Sequence, residues 1–430
     1  MEKKLLFANI DDPKQPEIDT YISKGGYESF KKVIKEMKPE EVIEEVKKSG
    51  IRGRGGAGFP AGMKWSFVPK DSPKPKYLVC NGDESEPGTC KDRVLMEHDP
   101  HLVVEGMAIA SYAIGAGHAF IYIRGEFDYP ASQMRKAIDQ AYQKGFLGKN
   151  IQGSGYDLEM IVHTGGGAYI CGEETALLNS LEGKPGQTRI RPPFPAVEGL
   201  YACPTVVNNV ETLSNMSLII KNGGEWYSKI GTEKSTGTRI FCLSGHVKNP
   251  GNYELELGTP MSYLINDLGG GIVDGKKLKA IIPGGSSTPI LTPDKIDTKL
   301  DFESVVEAGS MLGSGGVIVM HEDTDMVWVA KVLAHFYMHE SCGECTPCRQ
   351  GTKWLHDTIT RIYNGHGKME DIDILLDLCD NIEGKTICPL GDAAVIPIRS
   401  TINLFRNEYE HYINHKKPLV ENKFMSFVNG

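Results

Sequence analysis

The sequence predicts a chain of three parts: an α/β part with a largely parallel sheet, a small α+β roll and a C-terminal helical bundle. Three observations predict this order. Apolar strand patterns alternate with helical patterns between about residues 76 and 181, which is typical of a parallel sheet covered by helices. Short apolar runs with glycine-rich turns follow from about Thr236, and helical periodicity dominates from Asp325 onwards. We therefore predict domains over residues 1–235, 236–325 and 326–430.

Each element rests on a local pattern of apolar and polar residues. Residues 27–49 place apolar side chains at helical spacing between charges, and Gly50 indicates where this helical stretch ends. The rest of the α/β part is predicted to hold strands 76–81, 118–124 and 159–163 and helices 94–115, 131–145 and 171–181. The roll is predicted to hold strands 238–243, 252–257, 278–282 and 317–320 and a helix at 261–268, an order of the β-grasp kind. The bundle is predicted to hold helices 326–339, 351–363, 369–381 and 393–415.

Composition excludes several classes of protein. Of 430 residues, 40% are hydrophobic and 24% are charged, which is ordinary for a globular chain and unlike a disordered or fibrous one. The 47 Lys and Arg against 56 Asp and Glu give a net charge of −9, which argues against general nucleic-acid binding. No stretch approaches the roughly 18 apolar residues of a membrane span, and the apolar run near the N-terminus is too short for a signal peptide. We expect an intracellular protein that reaches a membrane only through another subunit.

The ten cysteines are expected to be metal ligands, reactive thiols or buried apolar residues, because disulfides are rare in reducing compartments. Cys342, Cys345 and Cys348 follow a C-x₂-C-x₂-C pattern, in which a tight loop can turn three thiolates towards one centre. The fourth ligand must come from elsewhere. Cys388, in a turn with Pro and Gly, is preferred over Cys379, which occupies a helical apolar position.

This three-plus-one pattern favours a [4Fe–4S] cluster, with zinc or unliganded thiols as the alternatives. Thr352 stands where a ferredoxin run would continue with a fourth cysteine, so a ferredoxin domain is not predicted. Arg349 either places positive charge near the cluster or is a solvated side chain. The remaining cysteines are expected to be structural: Cys80, Cys90, Cys171, Cys203 and Cys242.

Two glycine-rich loops could bring the backbone close to a ligand. Residues 53–58 match G-x-G-x-x-G, but a charged helix precedes them instead of a strand, so an ordinary dinucleotide fingerprint is not predicted. The loop can still admit a ligand to its N–H groups, with Lys64 meeting a phosphate or an anionic flavin; a plain flexible loop is the alternative. Residues 164–169 join a strand to a helix, where the phosphate of a mononucleotide could bind.

An acidic loop, residues 81–88, follows the first predicted strand. Carboxylates at the carboxyl end of a parallel strand lie where α/β sheets bind ligands. They would accept hydrogen bonds from ribityl or ribose hydroxyls and repel a 2′-phosphate, which favours NAD(H) over NADP(H). Glu173 and Glu174 offer the same chemistry beside the second loop; a solvated turn is the alternative interpretation of the acidic run.

Six segments taken together resemble the NADH-binding flavoprotein subunit of respiratory complex I over roughly residues 20–415. They are GRGGAGFPAGMKW, CNGDESEPGTCKDR, GGGAYICGEETALLNSLEG, PTVVNNVETL, ESCGECTPCRQG and ICPLGD. The resemblance implies a Rossmann-like FMN-binding domain, an α+β ubiquitin-like (β-grasp) domain and a C-terminal helical bundle carrying an iron–sulfur cluster.

The resemblance also implies site residues. The FMN-contacting positions would be Gly53, Arg54, Gly55, Lys64, Asn81, Asp83, Glu84, Ser85, Tyr169, Gly172, Glu173, Glu174, Val207, Asn208, Asn209 and Thr212. The NADH-contacting positions would be Phe59, Phe67 and Phe194 around the adenine, with Glu86 and Glu174 as nearby carboxylates. Glu86 is the candidate catalytic residue, Glu174 the candidate reader of the adenosine ribose, and Arg191 stands where relatives often carry lysine. The cluster ligands would be Cys342, Cys345, Cys348 and Cys388.

The function implied is hydride transfer from NADH to FMN, then single-electron transfer to the [4Fe–4S] cluster, to partner clusters and finally to quinone. The expected partners are a smaller [2Fe–2S] subunit with a thioredoxin-like fold and further peripheral-arm subunits, without nucleic acid. The expected location is peripheral, on the cytoplasmic side of the inner membrane.

Three alternatives are kept. The first is the diaphorase subunit of an NAD-linked hydrogenase or formate dehydrogenase, which often carries added cluster domains that this sequence lacks. The second is a non-catalytic cofactor-binding or zinc-binding scaffold. The third is a quinone- or ion-handling subunit, which the absence of an apolar span disfavours.

Overall fold

A parallel sheet of four strands organises the first half of the computed structural model, which describes residues 3–420. The strands are β1 (Tyr77–Gly82), β2 (His118–Ile123), β3 (Glu159–Thr164) and β4 (Thr205–Asn209). Their order is β3-β2-β1-β4, and Val79 of β1 lies opposite Phe120 of β2 and Val207 of β4. This is the order of the first strands of a Rossmann sheet. Because all four strands are parallel, their carboxyl ends form one edge, and that edge holds the candidate site.

Eleven helices accompany this sheet within residues 3–420. They are α1 (Ile18–Ser23), α2 (Glu28–Glu36), α3 (Pro39–Ser49), α4 (Ala61–Ser66), α5 (Asp92–His98), α6 (Pro100–Ile114), α7 (Asp128–Gln143), α8 (Glu174–Leu181), α9 (Val210–Ser214), α10 (Met216–Asn222) and α11 (Gly224–Ser228). Short 3₁₀ turns occupy Ile151–Gly153, Tyr169–Gly172, Leu200–Ala202, Val273–Gly275 and Pro293–Lys295. Helix α6 is buried on almost every side, so it is the central helix of the core beneath the sheet.

Two helical stretches each contain two helices: residues 27–49, for which one or two were predicted, and residues 94–115, for which one was predicted. The stretch 27–49 is two helices that meet at Pro39, and the stretch 94–115 is two helices that meet at Pro100. Both prolines occupy the first turn of the following helix, where a missing N–H costs nothing. Gly50 ends α3 with φ +66°, a left-handed conformation that suits glycine, as the sequence predicted.

A second sheet of four strands forms the roll. It contains β5 (Thr238–Gly245), β6 (Gly251–Glu256), β7 (Leu278–Ile282) and β8 (Gly316–His321) in the order β6-β5-β8-β7. The central pair β5–β8 is parallel and both outer pairs are antiparallel, which is the β-grasp arrangement. Helix α12 (Phe302–Glu307) and a π-helical turn at Tyr263–Leu268 cover it, the latter where a helix was predicted.

Four helices form the C-terminal bundle: α13 (Met326–Glu340), α14 (Thr346–Tyr363), α15 (Glu370–Ile382) and α16 (Leu390–His415). Asp325 caps α13 by accepting hydrogen bonds from the N–H groups of Val327 and Trp328. Helix α14 begins five residues earlier than predicted, because Pro347 fits its first turn. Cys348 therefore lies in a helix and not in a loop.

The N-terminal segment is held by a buried carboxylate of the second sheet. The N–H groups of Leu5, Leu6 and Phe7 donate to Glu254 of β6 at 2.8, 3.1 and 2.9 Å. The hydroxyl of Thr238 donates to the same carboxylate, and Glu254 is only 1% exposed. The opening segment of the chain is thus attached to the roll at one side chain.

Across residues 3–420, every helix is too short or too polar to cross a bilayer.

Candidate functional site

The carboxyl edge of the first sheet brings together residues from several of its strands. Asn81 and Asp83 lie at the end of β1, Arg124 directly follows β2, and Asn208 is near the end of β4. The side-chain amide of Asn81 donates to the carbonyl of Gly172 at 2.9 Å, and its oxygen accepts the N–H of Asp83 at 3.1 Å. Asn81 therefore joins the acidic loop to the segment before α8.

Asp83 carries the strongest sign of a missing ligand. Both of its carboxylate oxygens are buried and have no hydrogen-bond partner among residues 3–420. Burial raises the pKa of Asp83 to about 7, against the opposing charge of Arg124. A buried carboxylate without donors is costly unless a ligand supplies them. Hydroxyl groups such as those of a ribityl chain fit this requirement.

The two glycine-rich loops leave open space beside their backbones. A Cβ added at Gly56 or at Gly166 would meet no heavy atom within 4 Å. On its other side the first loop is closely packed, because a Cβ at Gly55 would lie 3.1 Å from Asn209 and one at Gly58 would lie 2.5 Å from Phe302. The first loop is therefore fixed on one face and open on the other, as a loop that admits a ligand to its backbone should be.

Two residues predicted to contact FMN, Arg54 and Thr212, are hydrogen-bonded to each other. The N–H of Arg54 donates to the hydroxyl of Thr212 at 2.9 Å. The guanidinium of Arg54 is fully buried and donates to the carbonyls of Thr236 and Thr238 at 2.7 and 2.9 Å. The side chain of Arg54 therefore points to the second sheet, and Arg54 shapes the loop instead of offering its charge to a ligand.

Glu84 is also directed inward. Its carboxylate accepts the N–H groups of Lys91, Asp92 and Arg93 at 2.8, 2.8 and 3.1 Å, so it caps the beginning of α5. Burial raises the pKa of Glu84 to about 8. Glu84 thus positions the loop, its contact with FMN stays a prediction, and Ser85 beside it is half-buried.

The three predicted residues of β4 and its end have separate roles. Asn208 accepts the indole N–H of Trp65 at 2.8 Å and so positions α4. Asn209 caps α9 by accepting the N–H of Glu211 at 3.0 Å, and its amide donates to Asp92. The carbonyl of Val207 accepts a hydrogen bond from Lys64, described next.

Lys64, Glu174 and Arg191 form a charged group beside the first glycine loop. The Lys64 ammonium lies 2.7 Å from the Glu174 carboxylate and 2.8 Å from the Val207 carbonyl. Arg191 donates to Glu174 at 3.3 Å, so the arginine at this position contacts the same carboxylate as Lys64. Glu173 instead caps α8, accepting the N–H groups of Thr175 and Ala176 at 2.9 and 3.0 Å.

Three aromatic rings lie exposed around this charged group. Phe59 is 46%, Phe67 53% and Phe194 58% exposed, well above what is usual for phenylalanine. The rings of Phe59 and Phe67 lie 6.1 Å apart, and in sequence they flank α4, which carries Lys64. Phe194 follows three residues after Arg191. Exposed rings that flank a carboxylate offer stacking faces for a purine base.

Glu86 joins the three parts of the chain. Its carboxylate accepts the hydroxyl of Tyr169 at 2.6 Å and the N–H of Ser287 at 2.8 Å. The hydroxyl of Ser286 lies 3.2 Å from Glu86 and 2.8 Å from the hydroxyl of Tyr337 on α13. Nearby on α13, Glu340 accepts the N–H of Tyr169 at 2.9 Å. These contacts fix the acidic loop against the roll and the bundle.

Sequence reasoning missed five residues that shape this site: Arg124, Ser286, Ser287, Tyr337 and Glu340. A signal existed for three of them. Arg124 follows a predicted strand at the carboxyl edge, and Ser286 and Ser287 end a Gly-Gly-Ser-Ser run. Tyr337 and Glu340 lie within a regular helix, and only the packing of the bundle on the sheet brings them near.

The structure groups Cys388 with the cysteine triplet. Cys348 and Cys388 are buried in one apolar cluster, with Cys342 and Cys345 packed against it. Burial raises the pKa of Cys348 to about 12 and that of Cys388 to about 11, and other cysteines of the group add to both shifts. Four thiols that interact in this way need a cationic centre before they ionise together, which is the donor set of an iron–sulfur cluster.

Cys379 lies in a different core. It is fully buried between α15 and α16, and its sulfur lies 3.9 Å from the carbonyl of Val395. Over residues 3–420, no three His, Cys, Asp or Glu side chains converge on a point that would hold a single metal ion. A cubane differs from a single ion, because each of its irons takes one thiolate.

Arg349 stabilises the cysteine loop through hydrogen bonds. Its guanidinium donates to the carbonyls of Gly343 and Glu344 at 2.6 and 3.2 Å and to the hydroxyl of Thr346 at 3.2 Å. Although exposed, Arg349 thus holds the turn between Cys342 and Cys345, a role that neither interpretation of the sequence anticipated.

Comparisons with known proteins agree with this geometry. Residues 46–218 match the Nuo51 FMN-binding domain, residues 328–412 the NADH-ubiquinone oxidoreductase-F iron-sulfur binding region, and residues 240–291 the SLBB domain. Fold, site and matches define a flavin- and iron–sulfur-dependent oxidoreductase subunit that acts on NADH.

The chain is 49% identical to a second F-type subunit of NADH-quinone oxidoreductase from Rhizobium meliloti (strain 1021), over 97% of this chain and 99% of that protein. It is 52% identical to the F-type NADH-quinone oxidoreductase subunit of Streptomyces coelicolor, over 95% of this chain and 91% of that protein. The chain belongs to the family of F-type NADH-quinone oxidoreductase subunits. The predicted family, fold class and cofactors, FMN and [4Fe–4S], are thereby confirmed; the roles of individual site residues stay predictions.

A solved structure also shares the fold. The NAD⁺-reducing [NiFe]-hydrogenase in the H₂-reduced state matches with a TM-score of 0.83 and 35% identity, covering 92% of this chain. This chain spans 66% of that hydrogenase chain.

Proposed function

We propose that this chain is the electron-input subunit of a multi-subunit NADH:quinone oxidoreductase. One observation carries the proposal: the residues of the flavin site and the cysteine group share a single apolar core. That core contains Val207 of β4, with Tyr169 from the turn before α8 packed against it, together with Cys348 and Cys388. Electrons leaving the site at the sheet edge would therefore reach the cysteine group through directly packed side chains.

The chain's residues would bind and orient, and the cofactors would supply the chemistry. When bound, FMN accepts a hydride from NADH and the iron–sulfur cluster takes electrons one at a time. Asp83 would accept hydrogen bonds from ribityl hydroxyls, and the open backbone at Gly56 and Gly166 would admit the cofactor. Lys64 would supply positive charge for an anionic cofactor. No general base is required, because a hydride transfer leaves no proton for the protein to remove.

NADH itself would be held by the exposed aromatic rings and by Glu174. Phe59, Phe67 and Phe194 would stack on the adenine, and Glu174 would accept hydrogen bonds from the adenosine ribose hydroxyls. Glu86 would be a positioning residue. Its oxygens already accept hydrogen bonds from Tyr169 and Ser287, so it would hold the loops in place around the nucleotide.

The cluster and the partners complete the proposal. Cys342, Cys345, Cys348 and Cys388 would hold the [4Fe–4S] cluster. Electrons would pass to a smaller [2Fe–2S] subunit with a thioredoxin-like fold, to further peripheral-arm subunits and finally to quinone. The subunit would lie peripherally on the cytoplasmic side of the inner membrane.

An anaerobic visible absorption spectrum tests this function. The protein, purified with its partner co-expressed and oxygen excluded, is expected to show flavin and iron–sulfur bands that bleach on addition of NADH. NADPH is the matched control and is expected to leave the bands unchanged. A colourless protein that contains zinc would contradict the proposal and favour the non-catalytic scaffold.

The diaphorase subunit of an NAD-linked hydrogenase stays a second candidate, because the hydrogenase structure shares the fold of 92% of this chain. Purifying the native complex from its source separates the two. Co-purification of a nickel-containing subunit would favour the hydrogenase, whereas NADH:quinone activity in membranes would favour the first proposal.

A further inference from the structure

Two cysteines expected to be structural lie side by side between the two sheets. Cys90 lies two residues after the acidic loop and is exposed, whereas Cys242 lies in β5 and is 1% exposed. The N–H of Cys90 lies 3.2 Å from the sulfur of Cys242. Because the amide nitrogen is one bond from its own Cα, this distance shows that the two residues are in direct contact, which a disulfide between them requires.

The loop around Cys90 is fixed against the second sheet. The side-chain amide of Asn252 donates to the Cys90 carbonyl at 2.9 Å, and the Cys90 thiol lies 3.4 Å from the Asn252 amide oxygen. Thr89 shares a hydrogen bond with Ser314. A Cβ at Gly88 would lie 2.8 Å from Ile318 of β8, so the loop packs closely on this sheet. The loop therefore holds Cys90 against the second sheet, beside Cys242.

Cys90 has the environment of a reactive thiol and Cys242 that of the thiol that responds to it. Hydrogen bonding with Cys242 lowers the pKa of Cys90, and the charge of Arg93 adds to this effect. The same hydrogen bond, together with burial, raises the pKa of Cys242. Cys90 is exposed, and its neighbour Asn252 lines a surface cleft of about 480 Å³ together with Lys4 and His98.

We propose that Cys90 and Cys242 form a dithiol–disulfide couple that hydrogen peroxide oxidises and that links the acidic loop covalently to the second sheet. The Cys90 thiolate attacks one peroxide oxygen, the O–O bond breaks, and a sulfenic acid and hydroxide form. The sulfur of Cys242 then attacks the sulfenic sulfur, an S–S bond forms, and the hydroxyl leaves as water with the proton of Cys242. Two thiols are oxidised and one peroxide is reduced to two waters. Thiol reductants reverse the change.

This inference goes beyond the proposed function, because neither thiol takes part in binding FMN, NADH or the cluster. Two other cysteines outside the cluster group lack this geometry. Cys379 faces a backbone carbonyl within the bundle, and Cys203 faces the carbonyl of Tyr201 at 3.4 Å.

Peptide mapping after graded oxidation tests the couple. The full chain, loaded with its cofactors, is treated anaerobically with hydrogen peroxide, quenched with a thiol-alkylating reagent and digested. We expect a cross-linked pair of peptides containing Cys90 and Cys242, two hydrogen atoms lighter than the separate peptides and absent after dithiothreitol treatment. Peptides with Cys203 and Cys379 are read in the same digest and are expected to stay alkylated.

Two variants assign the roles. In Cys242→Ala, Cys90 should stop at the sulfenic acid and become labelled by dimedone, with at least a tenfold gain in label over the unsubstituted chain. In Cys90→Ser, an exposed substitution that spares the core, Cys242 should stay alkylated at the same dose. Oxidation of Cys90 without any bond to Cys242, or equal dimedone labelling with and without Cys242, would overturn the proposal.

Discussion

Asp83 lies where the sheet edge needs a ligand, and its burial has a cost that depends on pH. Because burial raises the pKa of Asp83 to about 7 in the folded chain, the native state binds more protons than the unfolded state between about pH 4 and pH 7. The free energy of unfolding is therefore greatest while Asp83 is protonated, and it falls as the pH rises towards the pKa of Asp83 in the folded chain.

Asp83→Asn should remove this fall in stability with rising pH. In the FMN-depleted chain, we expect the substitution to reduce the decline in unfolding free energy between pH 5 and pH 8 by on the order of 2 kcal/mol. Urea unfolding at the two pH values measures it. The exposed Asp71→Asn is the matched control and should decline as the unsubstituted chain does; equal declines in all three chains would refute the role of Asp83.

Glu174 should decide between the two nicotinamide nucleotides. Glu174→Ala removes the carboxylate that repels a 2′-phosphate and leaves Lys64 and Arg191 free to attract one. We expect the preference for NADH over NADPH, measured as the ratio of kcat/KM values, to fall at least tenfold. Glu198→Ala, an exposed change in the neighbouring loop, should leave the ratio unaltered. An unchanged ratio in Glu174→Ala would show that another group excludes NADPH.

At this scale the sequence identified the right segments but not the direction of each side chain. Asp83 and Glu84 are neighbours in one motif, yet the first carboxylate has no hydrogen-bond partner in the part of the chain that the structure describes, and the second caps α5. Successive residues alternate in direction only in a regular strand, and this loop is irregular. Which carboxylate reaches a ligand is therefore set by tertiary packing that no local pattern encodes.

Among the elements, the ends of α15 and α16 place the two candidate cysteines in different cores, which supports the choice of Cys388. The turn before α16 carries Cys388 to the triplet, whereas Cys379 is buried between the helices. The preference for Cys388 came from its position in a Pro- and Gly-containing turn, and helical periodicity correctly marked Cys379 as a core position.

Paired substitutions test this assignment. Cys388→Ala should lose most of the cluster's iron and visible absorbance, because three thiolates cannot saturate four irons. Cys379→Ala should keep both and lose about 1–2 kcal/mol of stability from a small cavity. Iron and sulfide analysis of the two proteins, purified anaerobically in parallel, gives the answer. Retention of the cluster in the first variant and its loss in the second would reverse the assignment.

Strand β4 shows why some elements escaped prediction. Its sequence, TVVNN, has only two strongly apolar residues, and its other positions include a helix cap and a hydrogen-bond partner of Trp65. Functional polar residues thus obscured the strand pattern. Strands β5 to β8 carried cleaner apolar runs, and their predicted and observed bounds agree within three residues.

For the whole molecule, two buried arginines join the parallel sheet to the β-grasp sheet. Arg54 donates to the carbonyls of Thr236 and Thr238, and Arg239 donates back to the carbonyl of Arg54. A guanidinium can donate hydrogen bonds to several carbonyls at once, because its N–H donors point in different, fixed directions in one plane.

Arg54→Ala should therefore weaken the whole chain. It leaves buried carbonyls without donors, and we expect a loss of on the order of 3 kcal/mol in unfolding free energy. Arg54→Lys should restore little, since an ammonium lacks this planar arrangement of donors. Arg135→Ala, an exposed arginine bonded to Thr164, is the control and should change stability by about 0.5 kcal/mol or less. Chemical denaturation of the four proteins compares them.

The order of the three parts could be predicted from periodicity alone, because each uses a different pattern of apolar spacing. Their mutual contacts could not. The family resemblance pointed to Glu86, but its partners Ser286 and Ser287 come from a turn about 200 residues away in sequence. Such long-range pairing follows from the assembled fold and leaves no short-range signature.

The carboxylate of Glu254 has a practical meaning for anyone who shortens or fuses this chain. Three of its four donors belong to Leu5, Leu6 and Phe7. Trimming the start of the chain to the first helix would strip a buried anion of most of its partners and open the adjoining sheet to water. Leu5, Leu6 and Phe7 thus anchor the start of the chain to β6. A purification tag is therefore better added before these residues than in place of them.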